Sequence, residues 1–385
     1  MSPTPGAASL RLDTPGGVVE VVTSRGLAGL HALLGELWAQ VVVPSGDTRP
    51  VRRQLAYITA EEQGTAATEE GPPVGRAARP DDGYLVSGDI TLAVISELIG
   101  RRLLLHAGAV AHPRLGTVLL VGASGAGKST ATRTLARDGL YLTDELTVVH
   151  PDSLRIAPFP KPVSLVDHDS VERRKRDHPL GALGLEAPSP GFTGLPDHVL
   201  LLSRRRETDP ARPDGARRVP LVDAVLAVIQ QSSSIWDLPG GLGALTALIS
   251  RCGGALEVVY SEAEQIAGLV ESAASPVHES YDVIEGEPAS IRGTAARPGQ
   301  WAVRPFTSAL VLESGAVVLR GTKALRLDGM AALVWMSLVD EGPMDVEQAE
   351  ATVVAMIGGH PDSAGVIRDT LGALEDCGLA RRPEG

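Results

Sequence analysis

Residues 122–129 read Gly-Ala-Ser-Gly-Ala-Gly-Lys-Ser. Backbone N–H groups at that spacing can wrap a phosphate while the lysine reaches its oxygens. The apolar run Thr117–Val121 ahead of it predicts a strand, and 130–138 predicts a helix that starts at the phosphates and ends at Gly139. Gly122, Gly125 and Gly127 permit backbone angles and close approaches that side chains would block. The cradle then comprises Gly122, Ala123, Ser124, Gly125, Ala126, Gly127, Lys128, Ser129 and Thr130. Lys128 serves the β- and γ-phosphates, and the Ser129 hydroxyl is available to Mg²⁺. A purely structural Gly-rich turn is the plain alternative, but it does not call for a strand before and a helix after.

Two further features bear on chemistry. Asp144 and Glu145 close the short strand pattern Leu140–Thr143. A carboxylate placed there can serve a metal or take the proton of an attacking hydroxyl. Adjacent residues on a strand face opposite ways, so one acid faces the site while the other supports it or reaches Mg²⁺ from a bend. A solvated acidic turn is the alternative. His106 ends the run Leu103–Leu105 and precedes the small residues Ala107–Ala109, a setting that lets it face a cleft. Taken alone, a single histidine reads as a core or surface residue.

These groups sit in a chain of 385 residues, 43% hydrophobic, with a formal net charge of −12. Length and apolar content suit a large core divided into two or three domains. The acidic balance argues against nucleic acid as a partner. No apolar run is long enough to span a bilayer, and Met1–Pro5 lacks a signal pattern, so cytoplasm is the expected compartment. Cys252 and Cys377 are too few and too separated for a disulfide framework or zinc site, and each reads as a small buried apolar residue.

Along the chain, Gly17–Thr23 alternates as a strand and Leu27–Val43 has helical spacing. Residues 62–83 read as a loop or hairpin tip, and Ile90–Leu105 as a helix leading to the loop strand. Leu146–His150 reads as a strand. Residues 167–197 are long and irregular, as in an active-site flap or substrate loop, with the basic run Arg173–Arg176 read as solvated rather than as a substrate clamp. Val199–Ser203 and Leu256–Tyr260 are strand patterns, Leu221–Gln231 and Gly243–Arg251 helix patterns, and 204–218 an exposed hairpin tip. Residues 276–300 read as a linker. Two strands, Ala309–Leu312 and Ala316–Leu319, joined at Gly315, then precede helices at Gly329–Asp340, Asp345–Ile357 and Ala364–Cys377.

The order His106-Ala-Gly-Ala-Val, then Val118–Ser129, then Asp144-Glu145 resembles the catalytic core of the HPr kinase/phosphorylase family over roughly residues 85–275. Here the second acid is Glu where the family has Asp, and the family's phosphorolysis signature has no counterpart. The resemblance implies ATP and Mg²⁺ as cofactors, Asp144 as the base, Ser129 and Glu145 at the metal, and His106 assisting near the acceptor or the γ-phosphate. Kinases of that family assemble as rings, which makes a homo-oligomer an expectation. The stretch Arg155–Leu165 resembles kinase-like homologues from gene clusters for ribosomally made peptides. There the loop lies beside the phosphates, which implies that Lys161 adds positive charge to the transferring group. A Pro-stiffened strand exit with an exposed lysine is the alternative.

Residues Ser314–Asp328, Ala331–Trp335 and Val366–Leu379 are similar to PqqD-like domains, winged-helix modules that bind the leader of a precursor peptide. Strand addition at a sheet edge is the mode expected, with Trp335 in the core. The fold expected is therefore α/β: accessory N-terminal strands and helices in 1–84, a phosphate-loop kinase core of the HPr kinase type in 85–275, the linker, and a winged-helix domain in 301–385. The corresponding function is transfer of phosphate from ATP to a Ser or Thr hydroxyl of a ribosomally synthesised precursor peptide, such as a lasso precursor, whose leader is held by 301–385. A kinase of a free small molecule or carrier protein, and a non-catalytic ATP-binding adaptor, are the competing readings. A transporter ATPase is disfavoured because Pro239–Gly241 lacks the Ser and Gln of that signature.

Overall fold

Aliphatic and β-branched runs separated by glycine turns build several sheets with helices between them, and the chain is mixed α/β. The computed structural model describes residues 7–66, 75–166, 175–205, 213–286 and 296–382. The chain divides into two compact units. No helix among the described residues is long and apolar enough to cross a membrane.

The first unit is drawn from 1–218, 231–234 and 256–274. Its six-stranded sheet runs in the order Gly215–Val219, Ala255–Tyr260, Pro196–Arg204, Gly116–Val121, Gly108–His112, Leu140–Thr143. The strand Gly116–Val121 leads into the glycine loop, and the helix Lys128–Ala136 follows it. Val118, Leu120, Ala131, Leu135, Leu200 and Val258 form the core between sheet and helix.

An N-terminal sheet of Ala8–Thr14, Gly17–Thr23, Val51–Ile58 and Arg76–Ala77 belongs to the same unit. The helices Ala28–Leu37 and Gly83–Leu98 pack on it. Their shared core includes Trp38, Ile90 and Phe159, and it takes in Leu104 and Val148 from a three-stranded sheet of Ile156–Ala157, Thr147–Val149 and Leu103–Leu105. The helix Gly83–Leu98 thus packs with the accessory region that the sequence ended at 84.

Several segments depart from expectation. The helix pattern over 90–105 stops at Leu98, because Gly100 takes φ of 71° and the apolar Leu103–Leu105 then fits a buried strand. Part of the stretch expected as a loop holds a short helix, Ala60–Ala66, and the strand Arg76–Ala77, while 67–74 lie outside the described residues. In 167–197, Lys175–His178 pairs antiparallel with Val163–Val166, and Leu180–Leu183 forms a 3₁₀ turn. That part is built structure rather than a flap; 167–174, with Arg173 and Arg174, lie outside the described residues. Likewise Gly215–Val219 is a strand at the end of the expected hairpin tip, of which 206–212 lie outside the described residues.

The second unit is drawn from 219–230, 235–255 and 275–385. Its antiparallel sheet has the order Tyr281–Glu285, Ser308–Leu312, Gly315–Arg320, Lys323–Leu327. Helices Gly329–Glu341, Val346–Ile357 and Ser363–Asp376 supply one apolar layer, with Phe306 and Trp335 edge-to-face at 5.3 Å. Trp335 is a core residue, as expected. The helices Leu221–Ile229 and Gly241–Arg251 also contact this sheet. The reason is in the strands: Ala309, Val311 and Val318 join the first layer, yet the alternate residues Leu310, Val317 and Leu319 are buried too. A sheet apolar on both faces needs cover on both. Two helices that the sequence assigned to 85–275 therefore belong here, and Tyr281–Glu285, within the expected linker, is a strand. Cys252 is buried as expected, but Cys377 is exposed.

Candidate functional site

Sheet register brings the chemistry-bearing groups to one edge. Gly108–His112 pairs antiparallel with both Gly116–Val121 and Leu140–Thr143. Two antiparallel steps leave the outer strands running the same way, so the glycine loop and Asp144 depart from the same end. The middle strand starts at that end, two residues after His106. The acid strand is not the immediate neighbour of the loop strand; one strand lies between. That strand runs close beneath the loop helix, since a Cβ on Gly108 would meet Thr132 Oγ1 at 2.2 Å.

The loop is held from below. Tyr260 Oη donates to the Ala126 carbonyl at 2.8 Å. Gly127 has φ of 88°, and a Cβ there would sit 2.4 Å from that Tyr260 oxygen, so only glycine fits. Lys128 is buried, and its Nζ donates to the carbonyls of Gly122 at 2.6 Å and Ala123 at 3.3 Å. Burial holds its pKa below the usual lysine value, with the Glu145 carboxylate pulling the other way. Ala123, Ser124 and Gly125 are exposed at the mouth, as is Thr130 on the first helical turn. The first N–H groups of that nine-residue helix have no partner within it, which suits an anion.

The two acids divide as neighbours on a strand should. Asp144 is 5% exposed and Glu145 is half-buried. Thr143 Oγ1 accepts from the N–H groups of Glu145 at 3.4 Å and Leu146 at 3.3 Å, which fixes the bend. Burial raises the Asp144 pKa above the usual carboxylate value, against the opposing pull of Lys161 and of hydrogen bonds from Tyr141 and Ser129. Tyr141 Oη donates to Asp144 Oδ1 at 2.7 Å. Burial also pushes Glu145 up, but the Lys161 ammonium outweighs it and leaves Glu145 below its ordinary value.

Lys161 is 4% exposed and forms an ion pair with Glu145. The exposed-lysine alternative therefore does not apply. Burial disfavours its charge, yet Glu145 and Asp144 together keep its pKa raised. His106 is exposed and lies within electrostatic reach of Lys128, Glu145, Lys161 and Asp144. Burial of the ring and then the Lys128 charge hold its pKa below the usual histidine value, which favours the neutral ring at neutral pH.

The structure thus brings together Lys128, Ser129, Asp144, Glu145, Lys161 and His106. Sequence reading missed Tyr141, Thr143 and Tyr260, which touch and orient these groups. Tyr141 and Thr143 had a signal, since both lie within three residues of the acids on the strand that delivers them. Tyr260 comes from a distant strand and had none. No family model matches the chain, and no curated protein matches it significantly.

The donor set suits a hard cation that shares its oxygens with a phosphate. Ser129, Asp144 and Glu145 offer oxygen only, and no group of three or more His, Cys, Asp or Glu among the described residues could hold a metal without other donors. Mg²⁺ characteristically takes one or two protein oxygens, with phosphate and water completing its shell. Because Glu145 is paired with Lys161, serving a metal would require it to share that partner.

Proposed function

We propose that this chain is an ATP-dependent kinase of the HPr kinase type that phosphorylates a Ser or Thr hydroxyl of a ribosomally synthesised precursor peptide. The observation that supports this most is the buried carboxylate of Asp144, with raised pKa, beside Ser129 at the edge from which the glycine loop departs. A carboxylate whose proton affinity is raised is a better general base than an ordinary aspartate.

In this reading Gly122–Thr130 hold the phosphates of ATP, and Lys128 exchanges its loop carbonyls for phosphate oxygens. The acceptor hydroxyl oxygen forms a bond to the γ-phosphorus, and the bond from that phosphorus to the β–γ bridging oxygen breaks. The hydroxyl proton passes to an Asp144 carboxylate oxygen, and ADP leaves. Lys161 places positive charge near the equatorial oxygens as they gain negative charge. Neutral His106 can orient the acceptor by hydrogen bonding. Ser129 and Glu145 would hold Mg²⁺, which when bound neutralises phosphate charge.

Residues 301–385, similar to PqqD-like domains, supply the recruitment function. A leader held there as an added strand raises the effective concentration of the acceptor segment, so weak affinity at the reacting end suffices. The test is incubation of the full chain with labelled ATP and the precursor peptide encoded beside it. The expected result is addition of phosphate to the peptide, lost in Lys128→Ala and in Asp144→Asn. ATP turnover with a small hydroxylated acceptor but with no peptide would replace the peptide by a small-molecule substrate. ATP binding without transfer to any acceptor, and indifferent to Asp144→Asn, would make the chain an adaptor.

A further inference from the structure

Two adjacent arginines end the strand Pro196–Arg204 and its exit, and they are treated differently. Arg205 is locked: Nε and Nη2 donate to Ser261 Oγ at 3.2 and 2.7 Å, Nε pairs with Asp214 at 3.1 Å, and its N–H donates to the Tyr260 carbonyl at 2.8 Å. Arg204 is exposed, and among the described residues it pairs with no carboxylate. Its bond there is one long contact from Nε to the Ser261 carbonyl at 3.4 Å.

The Arg204 guanidinium stands beside the phosphate loop. Pro196–Arg204 runs parallel to the loop strand and pairs with it, so both leave the sheet at the same edge. Arg204 Cδ would lie 3.6 Å from a Cβ on Gly127, the residue that opens the helix Lys128–Ala136. Tyr260, whose hydroxyl holds the loop at Ala126, feels the Arg204 charge. A helix N-terminus carries positive partial charge and Lys128 adds a full one, so a second cation there is unfavourable unless an anion sits between them. Helix dipole, lysine and a guanidinium with no carboxylate partner among the described residues converge on one guest.

We propose that Arg204 is a binding residue for the phosphate chain of the nucleotide held at Gly122–Thr130, closing the cradle from the side opposite Asp144. The assignment rests on the nucleotide reading above and extends it to a residue outside the loop motif. Its chemistry is a charge-assisted hydrogen bond from the guanidinium to a non-bridging phosphate oxygen.

Calorimetric titration of the full chain with ATP, ADP and inorganic tripolyphosphate tests it, using wild type, R204A and R204K at two salt concentrations. R204A should weaken ATP and tripolyphosphate alike by roughly tenfold, with a flatter salt dependence, and R204K should recover part of the loss. Unfolding temperature without ligand should not change. Undiminished affinity in R204A would overturn the assignment while leaving the nucleotide reading intact. Loss for ATP with none for tripolyphosphate would overturn it too, by placing Arg204 on the nucleoside. A lowered unfolding temperature in the ligand-free variant would reduce Arg204 to a structural role. Wild type that binds none of the three anions would sink the nucleotide reading, and this inference with it.

Discussion

The acidic corner of the first unit and the core of the second differ in what they bury. At the corner, Asp144, Lys161, Lys128 and Tyr141 are all buried, and burial works against the charged form of each, a pull that Glu145 and Asp144 reverse for Lys161. The core running from Trp301 to Ala380 is built from apolar side chains, and Trp335 Nε1 in it is a buried polar atom with no partner among the described residues. Apolar burial adds stability, whereas buried charge subtracts it unless partners compensate in full. Placement of so much charge in one unit gives up stability there, as the proposed kinase reading would require.

Asp144→Asn should separate the two most clearly. Its expected effect on phosphate transfer is a loss of about a thousandfold, since the proposed base is removed while the shape is kept. Its effect on stability should have the opposite sign. Burial raises the Asp144 pKa, so the folded chain binds that proton more tightly than the unfolded one. Stability from this group is full below the unfolded-state value and falls as pH rises through the folded-state value. At neutral pH the ionised carboxylate therefore destabilises, and the amide should unfold at a higher temperature than wild type. Calorimetric scans at neutral pH measure this, and a lower unfolding temperature would break the contrast.

In the other unit, Trp335→Ala removes a fully buried side chain packed on Phe306. About 3–5 kcal/mol of that unit's stability should go, read as an earlier transition in denaturant. ATP affinity should stay as it was, while recruitment of a peptide through 301–385 weakens. Equal loss of both would mean that the two units do not act separately.

Lys161→Met lies between these cases. It leaves Asp144 and Glu145 without their shared cation, and both carboxylates should titrate at higher pH. Because Glu145 is 44% exposed in its side chain, water screens part of the loss, and about 2 kcal/mol of stability is expected rather than the full value for a buried pair. The acid limb of the pH–rate profile should move up, since in the proposed reaction Asp144 must lose its proton to act. A limb that moves down or stays put would remove Lys161 from the site.

How much of this was readable beforehand follows the same divide. The strand, the glycine turn, the helix after it and the acids at a strand end were legible as placements, because a glycine-rich turn between an apolar strand and a helix restricts residue types at fixed spacing. Lys161 was legible only through resemblance, as nothing in Phe159-Pro-Lys-Pro162 says that the ammonium turns inward. Tyr260 reaches Ala126 across 134 residues of sequence, and no local pattern records such a contact. In the second unit the assignment of Leu221–Ile229 and Gly241–Arg251 was missed although a signal existed: Ser-Ala-Leu-Val-Leu and Gly-Ala-Val-Val-Leu-Arg lack the alternation of a sheet with one wet face. The helix read over 90–105 failed for the converse reason, since a short apolar run fits either period and only Gly100 marks the break.

The smallest expected effect is the sharpest probe of the corner. Tyr141 donates its hydroxyl to Asp144 Oδ1, and such a bond favours the charged carboxylate and fixes its direction. Tyr141→Phe keeps the ring in the core and removes only that donor. Stability should change by about 1 kcal/mol or less, because the unmet carboxylate oxygen costs what the buried hydroxyl no longer does. The turnover number should fall roughly tenfold with KM for ATP unchanged, since Tyr141 touches the base and not the phosphate loop. The acid limb should rise in pH at the same time, because Asp144 loses a group that favoured its ionisation. A fall in rate without a shift of the limb would assign Tyr141 to packing alone. An unchanged rate and an unchanged limb together would mean that Asp144 is not the group that accepts the proton.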